Sequence, residues 1–333
     1  MTLDLRGSFA QKSVLVTGGL GFIGSHVARR LVDLGAQVAV VDSLVPDYGG
    51  NPINVEDVRE RISVTVADVC DPGVMRELAP GRDYVFNLAG QVSHSDSMEV
   101  PRLDLRNNCE AHLSVLEACR RLAPNAKLVF ASTRQVYGRP LYLPVDEAHP
   151  CEPVDVNGIH KWAAERYHLL YDRVYGVRSV CLRLTNTYGP GQLVKHSRQG
   201  VMGWFLRKVV EGGEIEIMGD GTQLRDFNYV DDVVEAMLRA AATPGAWGRV
   251  YNLGATPPVS LRELAELMLE IRGAGSYRLV AFPEARRRID VGSVHVSYEK
   301  VRAELGWEPQ VPLREGLARA IHFYEKNLAR YLA

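Results

Sequence analysis

Ser13-Val-Leu-Val-Thr-Gly-Gly-Leu-Gly-Phe-Ile-Gly-Ser25 is the stretch on which the fold turns. Val14-Leu15-Val16 is a short apolar, β-branched run with the character of a buried strand. Gly18, Gly21 and Gly24 follow it, and a helical pattern then runs from Phe22 to Leu34. Each glycine answers a physical need: a tight turn, close approach of backbone to a pyrophosphate, and close packing of helix on strand. The free N–H groups and positive dipole end of such a helix suit a phosphate. A second strand, Gln37-Val-Ala-Val-Val-Asp42, ends in an acid at the distance where a carboxylate accepts hydrogen bonds from adenosine ribose hydroxyls. No arginine follows Asp42 within Ser43-Leu44-Val45-Pro46 to welcome a 2′-phosphate. The pattern therefore predicts a dinucleotide-binding domain that takes NAD in preference to NADP.

Working outward, 333 residues are enough for a substantial core, either as two domains or as one large α/β domain with an extension. Hydrophobic residues make up 46% and charged residues 24%, ordinary for a globular chain. Lys plus Arg total 39 against 40 acids, so no global charge bias points to nucleic acid or a membrane surface. Cys70, Cys109, Cys119, Cys151 and Cys181 are scattered and odd in number, with no CxxC pair. They read as reduced thiols of a cytoplasmic protein, and neither a disulfide framework nor a metal site is expected. The N-terminus lacks a basic region followed by an apolar stretch, and no apolar run approaches bilayer length.

Further strands are expected at Arg61–Asp68, Tyr84–Ala89, Lys127–Thr133 and Val177–Leu184. Helices are expected from Asp71-Pro72, over Arg102–Leu122 and over Asn157–Tyr175. Strands alternating with helices this regularly argue an α/β fold, a doubly wound parallel sheet of Rossmann type. After residue 184 the rhythm changes. Helices at Gly200–Glu211, Val230–Ala242, Leu261–Ile271 and Leu313–Tyr331 mix with strands at Glu214–Met218 and Val250–Leu253. The expected organisation is a cofactor domain over 1–184 and a smaller, mixed α/β substrate-binding region over 185–333, partly interleaved with the first.

Five motifs in order, over nearly the whole length, resemble the extended short-chain dehydrogenase/reductases of the nucleotide-sugar epimerase and dehydratase group. They are Thr17-Gly-Gly-Leu-Gly-Phe-Ile-Gly24, Asn87-Leu-Ala-Gly90, Phe130-Ala-Ser-Thr-Arg-Gln-Val-Tyr-Gly138, Arg183-Leu-Thr-Asn-Thr-Tyr-Gly-Pro190 and Gly219-Asp-Gly-Thr-Gln-Leu-Arg-Asp-Phe-Asn-Tyr-Val-Asp-Asp232. A late Leu305-Gly-Trp-Glu-Pro309 also fits. The resemblance implies that Gly18, Gly21, Phe22, Ile23 and Gly24 line the pyrophosphate turn. It puts Asp42, with Ser43 beside it, at the ribose, Asp68 and Val69 at the adenine, and Leu88 and Ala89 along the cofactor. Asn108 matches a family asparagine, Thr133 the catalytic Ser or Thr, and Lys161 the lysine of the nicotinamide ribose. Asn186, Arg225 and one of Arg286, Arg287 and Arg288 (Arg287 in the middle of the run) would contact the diphosphate of a nucleotide sugar. A homodimer is implied, pairing Arg102–Leu122 and Asn157–Tyr175 with their copies, although amphipathic helices there would equally pack within one chain.

One departure matters. The family motif Tyr-x-x-x-Lys is here Asn157-Gly-Ile-His-Lys161. A phenol, with a reference pKa of about 10, can be brought toward working pH by a nearby ammonium and take a proton from a sugar hydroxyl. A carboxamide does not titrate. Asn157 also suits the N-cap of the helix that starts here. His160, His94 and Lys161 itself remain as groups for the proton. The resulting expectation is NAD-dependent, 4-epimerase-like chemistry on a nucleotide-diphosphate sugar. Its rivals are dehydration or decarboxylation of such a sugar, and a protein that binds NAD and a nucleotide sugar with little turnover. A 4,6-dehydratase would be expected to carry an acid pair after the threonine, where this chain has Arg134-Gln135.

Overall fold

The computed structural model describes residues 3–332. Its centre is a seven-stranded sheet: β1 (Ser13–Thr17), β2 (Gln37–Asp42), β3 (Ile62–Val66), β4 (Tyr84–Asn87), β5 (Lys127–Thr133), β6 (Ser179–Leu184) and β7 (Val250–Leu253). The order is β7-β6-β5-β4-β1-β2-β3, with every pair parallel. The expected Rossmann-type sheet is present. The chain reverses direction between β1 and β4, so the turns after those two strands part and leave a crevice.

Alternation along the strands builds two cores. Val14, Val16, Val38, Val40 and Phe86 face one side, where Val27, Ala28 and Leu31 of the helix Phe22–Asp33 cover them. Leu15, Ala39, Val41 and Val85 face the other, under Val115, Leu116 and Cys119 of the helix Ala111–Leu122. Burial on both faces makes these strands near-continuous apolar runs.

The chain returns to the sheet after residue 184. Strand β7 pairs with β6, and the helix Val230–Ala242 packs on β5, β6 and the helix Phe22–Asp33. Around them sit the helices Val201–Val210, Leu261–Arg272 and Leu313–Leu332 and a parallel pair, Glu214–Met218 with Ser276–Val280. The helix expected over Arg102–Leu122 is interrupted. A turn over Pro101–Leu105 leads through a π-helical segment, Arg106–Glu110, into the regular helix. The extra residue of a π turn shifts which side chains face inward, and such turns concentrate at functional sites.

Strand β6 carries a buried charge. Arg183 donates to both oxygens of Glu165, at 3.0 and 2.6 Å, and to the Tyr137 hydroxyl at 2.7 Å. Ser132 Oγ donates to Glu165, and the Tyr137 hydroxyl to Asn252 Oδ1. The network ties β5, β6, β7 and the helix Val156–Tyr175 into one unit. Substituting Glu165→Gln leaves the Arg183 charge uncompensated in the interior, and we expect a loss of about 3–5 kcal/mol, read from the denaturant midpoint.

Candidate active site

One continuous cleft runs along the carboxyl ends of the strands. Gly18 follows β1, Asp42 ends β2, Asp68 and Val69 follow β3, Leu88, Ala89 and Gly90 follow β4, Thr133 ends β5, and Asn186 follows β6; all of them line it. Phe22, Ile23, Gly24 and Ser43 line it too. Thr17 fixes the two turns at the crevice, because its Oγ1 accepts from the Leu88 and Ala89 amides and donates to Asn87 Oδ1.

The glycine turn fits a pyrophosphate. Gly18 has a φ of +67°, where a side chain is strained, and a Cβ on Gly24 would lie 2.2 Å from the Gly18 carbonyl oxygen. The helix Phe22–Asp33 has no side-chain cap, so its first amides have no such acceptor. Asp42 accepts from the Leu20 and Leu44 amides at 3.1 and 3.0 Å. Burial pushes its carboxyl above the ordinary value against these bonds. Both Asp42 oxygens are thereby oriented, with lone pairs left for ribose hydroxyls. Asp68 accepts from the Cys70 amide and is paired with Arg106. The residues present therefore suit NAD at this end.

At the other end, Thr133, Asn157, Lys161 and His94 line the cleft together. Lys161 Nζ is buried, donates to the Ala131 carbonyl at 3.3 Å and lies 5.2 Å from the centre of the Phe130 ring. Burial brings its pKa down to about 8, with the Asp104 charge opposing. Two histidines back this region. His168 stacks on Phe130, and burial drives it down to about 3. His112 is buried with neither ring nitrogen bonded among the described residues, and it too is pushed far down by burial. Both are neutral, so neither adds a second charge beside the amine.

Asn157 is not the helix cap. Asp155 fills that position, its side chain accepting from the Gly158 amide, and Asn157 lies in the first turn of Val156–Tyr175. Its Nδ2 donates to the Gln91 carbonyl at 2.9 Å and to Asp104 Oδ2 at 3.1 Å. Asp104, fully buried, also accepts from Asn108 Nδ2 at 3.0 Å and pairs with His160 Nδ1 at 2.7 Å. Asn108 and His160 thus lie behind the cleft wall and are not among its lining residues. His94 Nδ1 is 2.8 Å from Asp155 Oδ2, which can only accept from it, and Nε2 faces Gln135 Nε2 at 2.8 Å. Both ring nitrogens are occupied.

On the C-terminal side, Asn186 lines the cleft, and its amide donates to the Asp226 carbonyl. Arg225 and Arg287 are not brought to the lining. The Arg225 guanidinium turns to the Leu224 and Gly292 carbonyls, and Arg287 lies at a shallow surface hollow with Arg139, Tyr142 and Asp290. Residues that sequence reasoning missed include Tyr48, Arg134, Gln135, Thr187 and Gln192, all in the lining. Buried Thr187 Oγ1 and Gln192 Oε1 have no partner among the described residues, which marks that side as polar and suited to a hydroxyl-rich ligand. Asp104 and Asn108 stand four residues apart, as on one helical face, and that polar pair was a usable signal.

The two glycine positions separate folding from binding. We expect Gly24→Ala to lower stability by about 1–3 kcal/mol, seen as a fall in Tm. Gly21 lines the cleft, and a Cβ there meets only the Gly18 carbonyl oxygen, at 3.2 Å. Gly21→Ala should therefore keep Tm and weaken NAD binding in a calorimetric titration.

Comparison with known proteins agrees with this geometry. Residues 14–254 match the model of the NAD dependent epimerase/dehydratase family. A putative UDP-glucose 4-epimerase of Methanocaldococcus jannaschii is 34% identical over 317 residues, covering 94% of this chain and 99% of that protein. A dTDP-glucose 4,6-dehydratase of Streptomyces griseus is 33% identical over 322 residues, 94% of each. The crystal structure of a Thermus thermophilus UDP-glucose 4-epimerase in complex with NAD superposes with a TM-score of 0.84 at 32% identity, over 94% of this chain and 99% of that one. With a glycine turn, an acid at the end of β2 and a buried lysine on one cleft, and with this likeness along almost its full length, the chain belongs to the NAD-dependent epimerase/dehydratase family, and its cofactor is NAD.

Proposed function

We propose that the chain epimerises a nucleotide-diphosphate sugar in a 4-epimerase-like reaction. The observation that carries this reading is that Thr133, Asn157 and Lys161 meet at one end of a cleft whose other end is the glycine turn and Asp42. NAD, when bound, supplies reversible hydride acceptance, so a sugar hydroxyl can be oxidised and re-formed with no net redox change.

The chain's own groups supply the rest. Thr133 Oγ1 accepts from the Gln135 amide at 3.2 Å, which leaves its hydroxyl proton free to be donated to the reacting sugar oxygen. Asn157 Oδ1 has no partner among the described residues and can accept from a sugar hydroxyl or a water. Lys161 is the group we assign to the proton. Its amine is sheltered enough to be neutral in part near physiological pH, whereas His94 is held on both ring nitrogens and His160 is turned to Asp104. Arg134-Gln135 after Thr133 offers no carboxyl group there, which supports epimerisation over dehydration.

The test is a panel of nucleotide sugars incubated with the NAD-loaded protein and followed by proton NMR. Inversion at one ring carbon supports the reading, and unchanged sugar across the panel in spite of binding contradicts it. Because the amine must be neutral to accept a proton, turnover should rise with pH through about 8. Lys161→Met, which keeps an apolar stem in the same space, should lower turnover by about 10²–10⁴-fold and remove that pH dependence.

We also propose a homodimer through the helices Val156–Tyr175 and Ala111–Leu122 with the turns that precede the latter. Met98, Leu103, Ile159, Trp162 and Leu170 are exposed apolar side chains on these elements, an arrangement that suits a self-complementary helical face. Light scattering should give twice the chain mass, and Trp162→Glu should shift it to one; a wild-type mass of a single chain contradicts the proposal.

A further inference from the structure

Arg134 follows Thr133 directly, at the start of the short turn Arg134–Tyr137. Its side chain is more than nine-tenths buried, yet it belongs to the lining of the cleft. No hydrogen bond or ion pair engages it among the described residues. The molecule's other buried arginine of the sheet region, Arg183, is saturated by Glu165 and Tyr137. A buried guanidinium without an acceptor is costly, and its planar fork of five donors is built for a bidentate oxyanion.

The carboxylates around Arg134 are Asp226, Asp155 and Asp290, and they act on it only from a distance. Asp155 is committed to His94 and the Gly158 amide, and Asp290 to the Gly292 amide. Asp226 is buried and accepts from the Val296 amide; its Oδ1 is unbonded, and burial raises its pKa to about 6. Arg225, the cation nearby, is itself turned to backbone carbonyls. The free donors of Arg134 therefore belong to the cleft, one residue along the chain from the hydroxyl that holds the reacting oxygen.

We infer that Arg134 is a specificity-determining residue that binds a carboxylate on the sugar, so that the substrate is a nucleotide-diphosphate sugar of the uronic acid class. The inference rests on the reading of the cleft as a nucleotide-sugar site. A diphosphate oxygen offers Arg134 the same chemistry, but the place of Arg134 beside Thr133 puts it at the sugar.

The experiment titrates NAD-loaded protein with matched pairs, UDP-glucose against UDP-glucuronate and dTDP-glucose against dTDP-glucuronate, and with UDP and dTDP alone. Wild type should bind the uronate of the accepted nucleotide at least about tenfold more tightly than the neutral sugar. Arg134→Met should erase that difference while leaving the neutral sugar and the nucleotide diphosphate as they were. Arg134 also offsets the buried Asp226 carboxyl, so Tm is recorded for the variant beside its binding, and the wild-type comparison stands without any variant. Equal or weaker binding of the uronate overturns the inference. So does an equal loss for all ligands in Arg134→Met, which would assign the residue to the diphosphate. Failure of every nucleotide sugar to bind would instead overturn the function proposed above, and the inference with it.

Discussion

The site depends on one amine held away from water. Lys161 projects from the second turn of a helix onto the face of Phe130, behind the carboxyl end of β5, with neutral His168 and His112 in the layer beneath. Little water reaches the ammonium there, and among the described residues no carboxylate forms an ion pair with it. Its charged form is therefore destabilised relative to an exposed lysine. An amine in that state can both carry positive charge toward a cofactor and give or take a proton. The sheet, the two turns tied by Thr17 and the ion pair of Glu165 with Arg183 hold the surrounding wall in place.

The absence of a tyrosine at residue 157 has a structural counterpart. Asn157 belongs to a buried polar unit in which its own amide and that of Asn108 bridge Asp104 and the Gln91 carbonyl, with His160 closing the other side of Asp104. A phenol would bring one donor where the carboxamide supplies two bonds from one nitrogen. It would leave Asp104 short of a partner, a loss that is expensive for a buried carboxylate. The π turn carries Asn108 into this unit. The helix thus presents a neutral amide with a rigid backing, and the proposed proton chemistry uses the lysine one turn further on.

Much of this was legible in the residues. The strand Lys127–Thr133 and the strand Gln37–Asp42 have the bounds expected of them, because strands buried on both faces are apolar from end to end and stop at polar turns. The glycine turn and Asp42 stand out as a local pattern at strand ends, whereas Thr133 and Lys161 are picked out by resemblance to the family motifs; the structure sets all four on one cleft. Other features depend on packing between distant segments. Asp104 meets Asn157 across 53 residues, and nothing in either local pattern predicts that contact. Arg225 and Arg287 are assigned to the diphosphate by resemblance alone; the Arg225 guanidinium turns to backbone carbonyls, and Arg287 lies at a separate surface hollow. Arg134 was noticed only as a missing acid. Its significance appears when burial and the lack of a partner are seen together. The strand Val250–Leu253 had a clear local pattern, but its place at the edge of the main sheet is a matter of topology.

The most direct measurement is the titration of Lys161 itself, followed by NMR of the protein with ¹³C-labelled lysine side chains, the signal being assigned by its loss in Lys161→Met. A midpoint near 8, well below the reference lysine value of about 10.4, is the predicted result. A midpoint at that reference value would mean that the amine stays charged at working pH and cannot take the proton, and the account of the site would fail.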